Sequence, residues 1–247
     1  MQIGEAGTQV EKVVLQLRQM VLEGKFAAGS HVAEIPLAER LGVSRTPVRL
    51  ALNILEREGL VVSSPRRGFT VREVTIEEIS DAFDVRGALE GMACRLVLER
   101  GLSRRARGDL EQCLDEADRV LAKGYFVEED TRTWSGLNAR FHGLIIAAAG
   151  NKPLAAALSF NNRTPMVAAG AIAFQAKFPD LGFQYMRQAH TEHLALFDAL
   201  SKGQGARAEA LAQEHAYKSR ENLCGTLRQA RQTRSEIAMP GLNLLVG

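Results

Sequence analysis

Five histidines occur in the chain, and three of them sit where they could share a cation. His142 follows Asn138 by four residues in NARFH, so the two side chains lie on one helix face. His193, in TEH, and His215, in QEH, fall in two further helical stretches. Helices facing inward in a bundle can converge imidazoles on one ion, and imidazole suits Zn, Ni, Cu and Fe. The same spacing also describes histidines hydrogen-bonded in a core, and the pattern leaves both readings open. His190, three residues before His193, is either a further polar group of such a site or a rim residue. Arg86 and Glu90, four apart, form either an i,i+4 ion pair or a clamp in which Arg86 forks onto the carboxylate of a bound acid.

A second chemistry is written in residues 42–59, GVSRTPVRLALNILEREG. At about 100° per residue, Arg45, Thr46, Arg49, Asn53 and Glu56 fall on one arc. Val48, Ala51, Leu52 and Leu55 lie on the other, flanked by Leu50 and Ile54. The N-terminus of a helix carries unpaired N–H groups and partial positive charge, so it attracts phosphate. Arginine forks onto guanine O6 and N7 in the major groove. Ser44, at the N-cap position, and Thr46 suit hydrogen bonds to phosphate. An isolated helix of this kind is as well explained by solvated arginines paired with Glu56 or other neighbours.

The elements around that helix decide between the two. Val10, Val13, Val14, Leu17, Met20 and Val21 predict a first helix ending at Gly24, and GKFAAGSH reads as a turn. Pro36 opens a short helix, PLAERLG, which Gly42 ends. Two short helices joined by GVS make a helix-turn-helix. Beyond Gly59, LVVSSPRRGFTVREV places β-branched residues on both sides of a turn, a hairpin with Arg66 and Arg67 at its tip. A hairpin in that place is a wing.

From Thr75 onward only helical patterns remain, over 76–100, 104–123, 129–149, 153–177, 183–202 and 205–232, with breaks that include GNKP at 150–153 and FPDLG at 178–182. The predicted fold is therefore mainly α. It has a winged helix-turn-helix DNA-binding domain over 1–74, an all-α bundle of six or seven helices over 75–235, and a tail over 236–247 that docks on the body or on a partner subunit. A net charge of +2 confines any basic surface to a local patch. Three cysteines without a CxxC pair fit a reducing compartment. There is neither an apolar run of membrane length nor an apolar signal core in MQIGEAGTQVEK, so the expectation is a cytoplasmic protein without a membrane partner. HExxH, a di-iron ExxH pair, a phosphate loop and GxSxG are all missing from the sequence, which argues against an enzyme.

The stretch GSHVAEIPLAERLGVSRTPVRLALNILEREGLVVSSPRRGFTV resembles the winged domain of GntR-family bacterial transcription regulators, most specifically in SRTPVR.AL..LE.EGLV. FDVRGALEGMACRLV, LNARFHGLIIAAAGN and EHLALFDALSKGQGARAEALAQEH resemble the FCD effector domain of the FadR subgroup and its VanR-like branch. The resemblance implies a homodimer on a palindromic double-stranded operator. Arg45 and Arg49 would contact bases, with Ser44, Thr46 and the wing residues Arg66, Arg67 and Gly68 on backbone or minor groove. Ile35 stands where some relatives carry another arginine, which alters operator preference. It also implies a divalent transition metal, Zn or Ni, held by one aspartate and three histidines. His142, His193 and His215 match, while Asn138 takes the place of the aspartate and offers only an uncharged amide oxygen. A small carboxylate effector beside Arg86 and His190 would complete a ligand-responsive repressor. Two competing readings are a helical half that only dimerises and a metal-dependent enzyme.

Overall fold

The computed structural model describes residues 3–64, 68–125, 127–169, 179–233 and 241–247. The chain divides into two compact units, one of residues up to Thr75 together with the C-terminal tail, the other of the helices from Ile76 onward.

In the first unit α1 (Ile3–Leu22) precedes β1 (His31–Val32), α2 (Glu34–Leu41), α3 (Arg45–Arg57), β2 (Val61–Ser64) and β3 (Gly68–Val71). The apolar stripe of α1, Val13, Val14, Leu17 and Val21, is buried and packs with the buried arc of α3. Arg18 forks onto Glu58 at 2.6 and 2.8 Å and ties the end of α3 back to α1. Gly42 stops α2 in the left-handed region (φ 64°), where its N–H and that of Val43 close onto Glu39 and Ala38. Ser44 occupies the N-cap position of α3, yet its hydroxyl caps nothing. The third helical residue is Pro47, which lacks the N–H that such a hydroxyl most often takes. The hairpin of β2 and β3 is joined by β1, which pairs His31 with Thr70 and Val32 with Phe69 to give an antiparallel sheet of order β1-β3-β2. A strand of two residues is too short for periodicity to announce it, so the turn read there ends in a strand.

The tail completes this unit. Leu244, fully buried, lies in a 3-10 turn (Leu242–Leu244) beside Asn243, whose Nδ2 donates to the Val21 carbonyl at 2.8 Å. The Val74 N–H donates to Leu244 and that of Val246 to Val74, both at 2.9 Å. Of the two placements the sequence left open, the tail takes the one on its own chain.

The second unit holds α4 (Ile76–Arg100), α5 (Arg104–Leu121), α6 (Glu128–Ala149), α7 (Lys152–Asn161), α8 (Pro179–Ser201) and α9 (Gly205–Thr233). These six helices among the described residues enclose a core that includes Leu110, Leu114, Trp134, Phe141, Ile145, Met186, Leu196 and Leu200. The free cysteines Cys94, Cys113 and Cys224 are buried in it or near it, and burial pushes the Cys94 thiol up to about 12. Two expectations need correction. The helix predicted over 153–177 ends at Asn161, because Pro165 disfavours helical backbone just before it and Met166 turns left-handed (φ 68°); residues 170–177 of that stretch lie outside the described ones. FPDLG is not all break: α8 starts at Pro179, whose fixed φ suits a first helical position.

Helices α4 and α9 run closest together where α4 carries Gly87 and Gly91. A Cβ on Gly87 would stand 3.0 Å from the Ala216 methyl, and one on Gly91 3.1 Å from the Glu209 carbonyl. Gly91→Leu is expected to lower the urea midpoint of this unit, followed by Trp134 fluorescence, by an amount worth about 1–3 kcal/mol; an unshifted midpoint would refute the close approach. Leu244→Ala should cost the first unit about 2–5 kcal/mol, read as faster hydrogen exchange at the Val74 and Val246 amides. Exchange left at wild-type rates would mean that Leu244 does not hold the tail.

Candidate functional site

Two sites emerge, one in each unit. On α3, Arg45, Thr46, Arg49 and Asn53 are exposed and line a shallow groove with Leu50. Leu50, expected beside the apolar arc, is 47% exposed on this ridge, since Pro47, Val48, Ala51, Leu52 and Leu55 already fill the buried side. The arginines pair with Glu34 of α2, not with Glu56. Arg49 forks onto Glu34 at 2.9 Å through Nε and 2.8 Å through Nη2, and Arg45 reaches it at 3.5 Å. Glu56 instead accepts from the Ser63 N–H at 3.0 Å and from the Ser63 hydroxyl, fastening α3 to β2. The hydrogen bond from Arg49 holds the Glu34 carboxyl below its ordinary range. One acid between two arginines leaves the ridge positive, with both guanidiniums preset toward solvent. Gly68 opens β3 with φ 72°, a conformation that favours glycine. Arg66 and Arg67, the expected wing tip, lie outside the described residues. Glu34 had no readable signal, since an acid in a first turn serves the helix dipole equally well.

In the second unit, α6 supplies Asn138 and His142, α8 supplies His193 and α9 supplies His215, while the glycine face of α4 lets Arg86 and Glu90 in beside them. All six side chains are buried. One ligand nitrogen from each histidine lies within 4.8 Å of the other two. Bonds of about 2.0–2.1 Å to an ion bring imidazole nitrogens about 3–4 Å apart, a span that small ring adjustments close. A carboxylate orients one of the rings, His215, whose Nδ1 lies 2.7 Å from Glu192, while His142 Nδ1 lies 3.1 Å from a Glu90 oxygen that takes no hydrogen bond. Fixing the outer nitrogen on an acid presents the other one to a metal. His193, stacked at 4.3 Å on Phe141, has a buried Nε2 with no hydrogen-bond partner, and the Asn138 Oδ1 is likewise unpartnered. Buried polar atoms without partners are uncommon and call for a ligand. The donor set therefore fits a divalent transition ion.

Arg86, 1% exposed, donates to Glu90 at 2.8 Å and to the Val167 carbonyl at 3.0 Å, and its Nη2 lies 3.5 Å from His142 Nε2. Asn138 Nδ2 donates to the neighbouring Ala169 carbonyl. Both readings of the Arg86–Glu90 spacing thus meet in one place, a buried ion pair at the edge of the histidine cluster. Burial pushes the Glu90 carboxyl up, but Arg86 and His142 together outweigh it and hold the carboxyl well below its ordinary range, so that Glu90 stays ionised. A narrow cleft of about 30 Å³ is lined by Arg86, Asn138, His215, Trp134 and Lys218 among others. His190 is not in that lining; its Nε2 lies 2.9 Å from Asp118 on α5. Sequence reasoning passed over Glu192, Lys218 and the Val167 and Ala169 carbonyls. Glu192 adjoins His193, yet consecutive helical residues face different ways, and only the packing of α8 on α9 brings it to His215.

Comparison with known proteins identifies the family. The family described as "FCD domain" matches residues 81–218, more than half of the chain, and "Bacterial regulatory proteins, gntR family" matches residues 9–71. The chain belongs to the GntR family and carries an FCD domain. This FCD-type GntR regulator is 32% identical over 139 residues to the uncharacterized HTH-type transcriptional regulator YdhC of Bacillus subtilis (strain 168), covering 56% of the chain and only 60% of that relative. It is 27% identical over 208 residues to the HTH-type transcriptional repressor GlaR of Escherichia coli (strain K12), covering 81% and 88%. A solved structure of Lar, described as controlling expression of the Listeria monocytogenes agr system, shares the fold with a TM-score of 0.62 at 17% identity, covering 86% and 95%. The relatives are transcription regulators, not enzymes. No described helix is long and apolar enough to cross a membrane.

Burial, reinforced by the charges of neighbouring groups, holds the His193 imidazole well below its ordinary value of 6.5, and burial lowers His142 as well. A lowered folded value means that stability is fully present above the unfolded value and lost as pH falls beneath it. The thermal midpoint of the helical unit should be flat above about pH 7 and fall steadily from about pH 6.5 to 5. A midpoint that stays level across that window would contradict neutral, buried imidazoles.

Proposed function

We propose that this regulator is a repressor that binds a palindromic operator as a homodimer and responds to a small carboxylate effector held in its helical unit. The exposed basic ridge of α3 supports the DNA half of the reading. Arg45 and Arg49 carry base contacts, and the free Ser44 hydroxyl and Thr46 take phosphates at the helix N-terminus. Glu34 keeps both guanidiniums in register until a base edge takes its place. The relative GlaR is named a repressor, which supports that direction of control.

The observation that carries the effector half is the unpartnered His193 Nε2 inside a cluster in which Glu192 already orients His215. His142, His193 and His215, with the Asn138 amide oxygen, would hold a divalent ion such as Zn or Ni. When bound, that ion supplies a positive centre for an effector carboxylate to ligate. Arg86 binds the acid from the side, in competition with the Val167 carbonyl that it now holds at 3.0 Å. Trp134 walls the cleft. An acid that takes Arg86 from Val167 favours a second packing of the helical unit, and operator affinity falls by the same coupling energy that the acid gains.

Operator fragments enriched from randomised DNA by the wild-type chain give the test of both halves. Arg49→Ala should weaken their binding by about 1–3 kcal/mol in anisotropy titrations; unchanged affinity would remove α3 from the interface. Elemental mass spectrometry should find about one Zn or Ni per chain and none in His193→Ala. Equal metal contents would dissolve the assigned centre.

A further inference from the structure

Leu50 is chemically unlike the rest of the ridge on which it stands. The exposed residues of α3 are Arg45, Thr46, Arg49, Leu50, Asn53 and Arg57, and of these six only Leu50 can neither donate nor accept a side-chain hydrogen bond. The core has no call on it, because the buried side of the helix is already filled. A lone exposed leucine is ordinary on a protein surface. What sets this one apart is its company: it lines the same groove as Arg45, Thr46, Arg49 and Asn53 and is 47% exposed there. On its other side it borders a second groove together with the half-buried Val10 and Ile54.

Arg45, Arg49 and Asn53 follow one another at intervals of four and form one row along the helix, with Thr46 and Leu50 in the row beside it. Helical side chains lean toward the helix N-terminus, so Leu50 covers the turn that precedes it, next to Arg49. In the major groove a guanine offers the acceptors O6 and N7 to an arginine fork, and thymine alone offers an apolar group, its C5-methyl. An aliphatic side chain pressed on the cytosine amino group or on a purine N7 strips water from a polar atom and returns no hydrogen bond. Against a thymine methyl the same side chain removes apolar surface from water on both partners. Leucine in this place therefore selects thymine twice, by attraction to its methyl and by penalty on the other bases.

We infer that Leu50 is a specificity-determining residue of the α3 interface, packing on the C5-methyl of a thymine in each operator half-site beside the guanine that Arg49 takes. The inference rests on the DNA reading given under Proposed function, and assigns one base of the site that the two arginines leave unread.

The test uses the full chain and an operator enriched from randomised DNA by the wild type. Each thymine in turn is replaced by deoxyuracil, which removes the C5-methyl and leaves the pairing edge unchanged. In anisotropy titrations one such replacement should weaken wild-type binding about fourfold for each half-site altered, the worth of one buried methyl. Leu50→Ala should bind the thymine and uracil duplexes equally, and DNA enriched by that variant should be relaxed at this position and unchanged at the guanine. Alanine is a strong helix former and Leu50 is half exposed, so the helix is preserved in the variant. Leu50→Met, which keeps an apolar side chain of like volume, should retain the difference between the two duplexes. A wild-type chain indifferent to every thymine methyl would overturn the inference and leave Leu50 to the groove it shares with Val10 and Ile54. A methyl effect that persists in Leu50→Ala, or is missing from Leu50→Met, would overturn it as well. If Arg49→Ala weakens binding while all thymine methyls are silent, this inference alone fails. If Arg49→Ala binds as tightly as wild type, the DNA reading of α3 fails together with it.

Discussion

The helical unit is organised around one buried cation. Arg86 is 1% exposed, and a guanidinium cannot shed its charge, so every group around it is constrained to compensate. Glu90 supplies the counter-charge one helical turn away, Val167 offers a backbone oxygen, and His142 meets the remaining edge. Such a pair is weak evidence for stability, because desolvation offsets most of its Coulomb attraction. Its consequence is positional. Glu90, held ionised, stands 3.1 Å from His142 Nδ1, and that ring belongs to the cluster of three buried histidines.

That arrangement depends in turn on small residues. Gly87 and Gly91 let α9 approach α4 closely enough for His215 to share a site with Arg86. Along α9, His215 and Lys218 are three residues apart and both reach Glu192, so a single carboxylate serves the cluster with one oxygen and the cleft lining with the other. The segment after α7 closes the site from a different direction. Met166 sits in the left-handed region, a conformation that costs a non-glycine residue free energy and persists where its surroundings hold it. Here those surroundings include the carbonyls of Val167 and Ala169, which receive Arg86 and Asn138.

The basic ridge of α3 follows a related logic at the surface. Arg45 and Arg49 are exposed, so pairing with Glu34 contributes little to stability. What it does is reduce the number of arrangements that two long side chains sample, so that less conformational freedom would be lost in the base contacts proposed for them. Pro47 adds to this by leaving the Ser44 hydroxyl without its usual backbone partner and therefore available.

Much of this was legible in the sequence. The alternation of buried and exposed positions in α3, the glycine stop at Gly42, the hairpin after Gly59 and the run of helices from Ile76 follow from local periodicity, capping and turn chemistry, which act over a few residues. The candidate ligands were readable as residue types on helical faces. Their convergence was not, because residues as far apart as Asn138 and His215 meet only through the packing of separate helices. Local pattern also misplaced Leu50, overran α7 past Asn161 and passed over the two-residue strand β1, where burial, a proline and pairing with a distant strand decided the outcome. Glu34 under the arginines, Glu192 behind His215 and the tail on Val74 belong to the same class. The sequence by itself determined the elements and the chemistry they carry, since those depend on neighbours along the chain. Tertiary structure alone decided which charges share a buried space, since compensation is set by distance and burial and not by position in sequence.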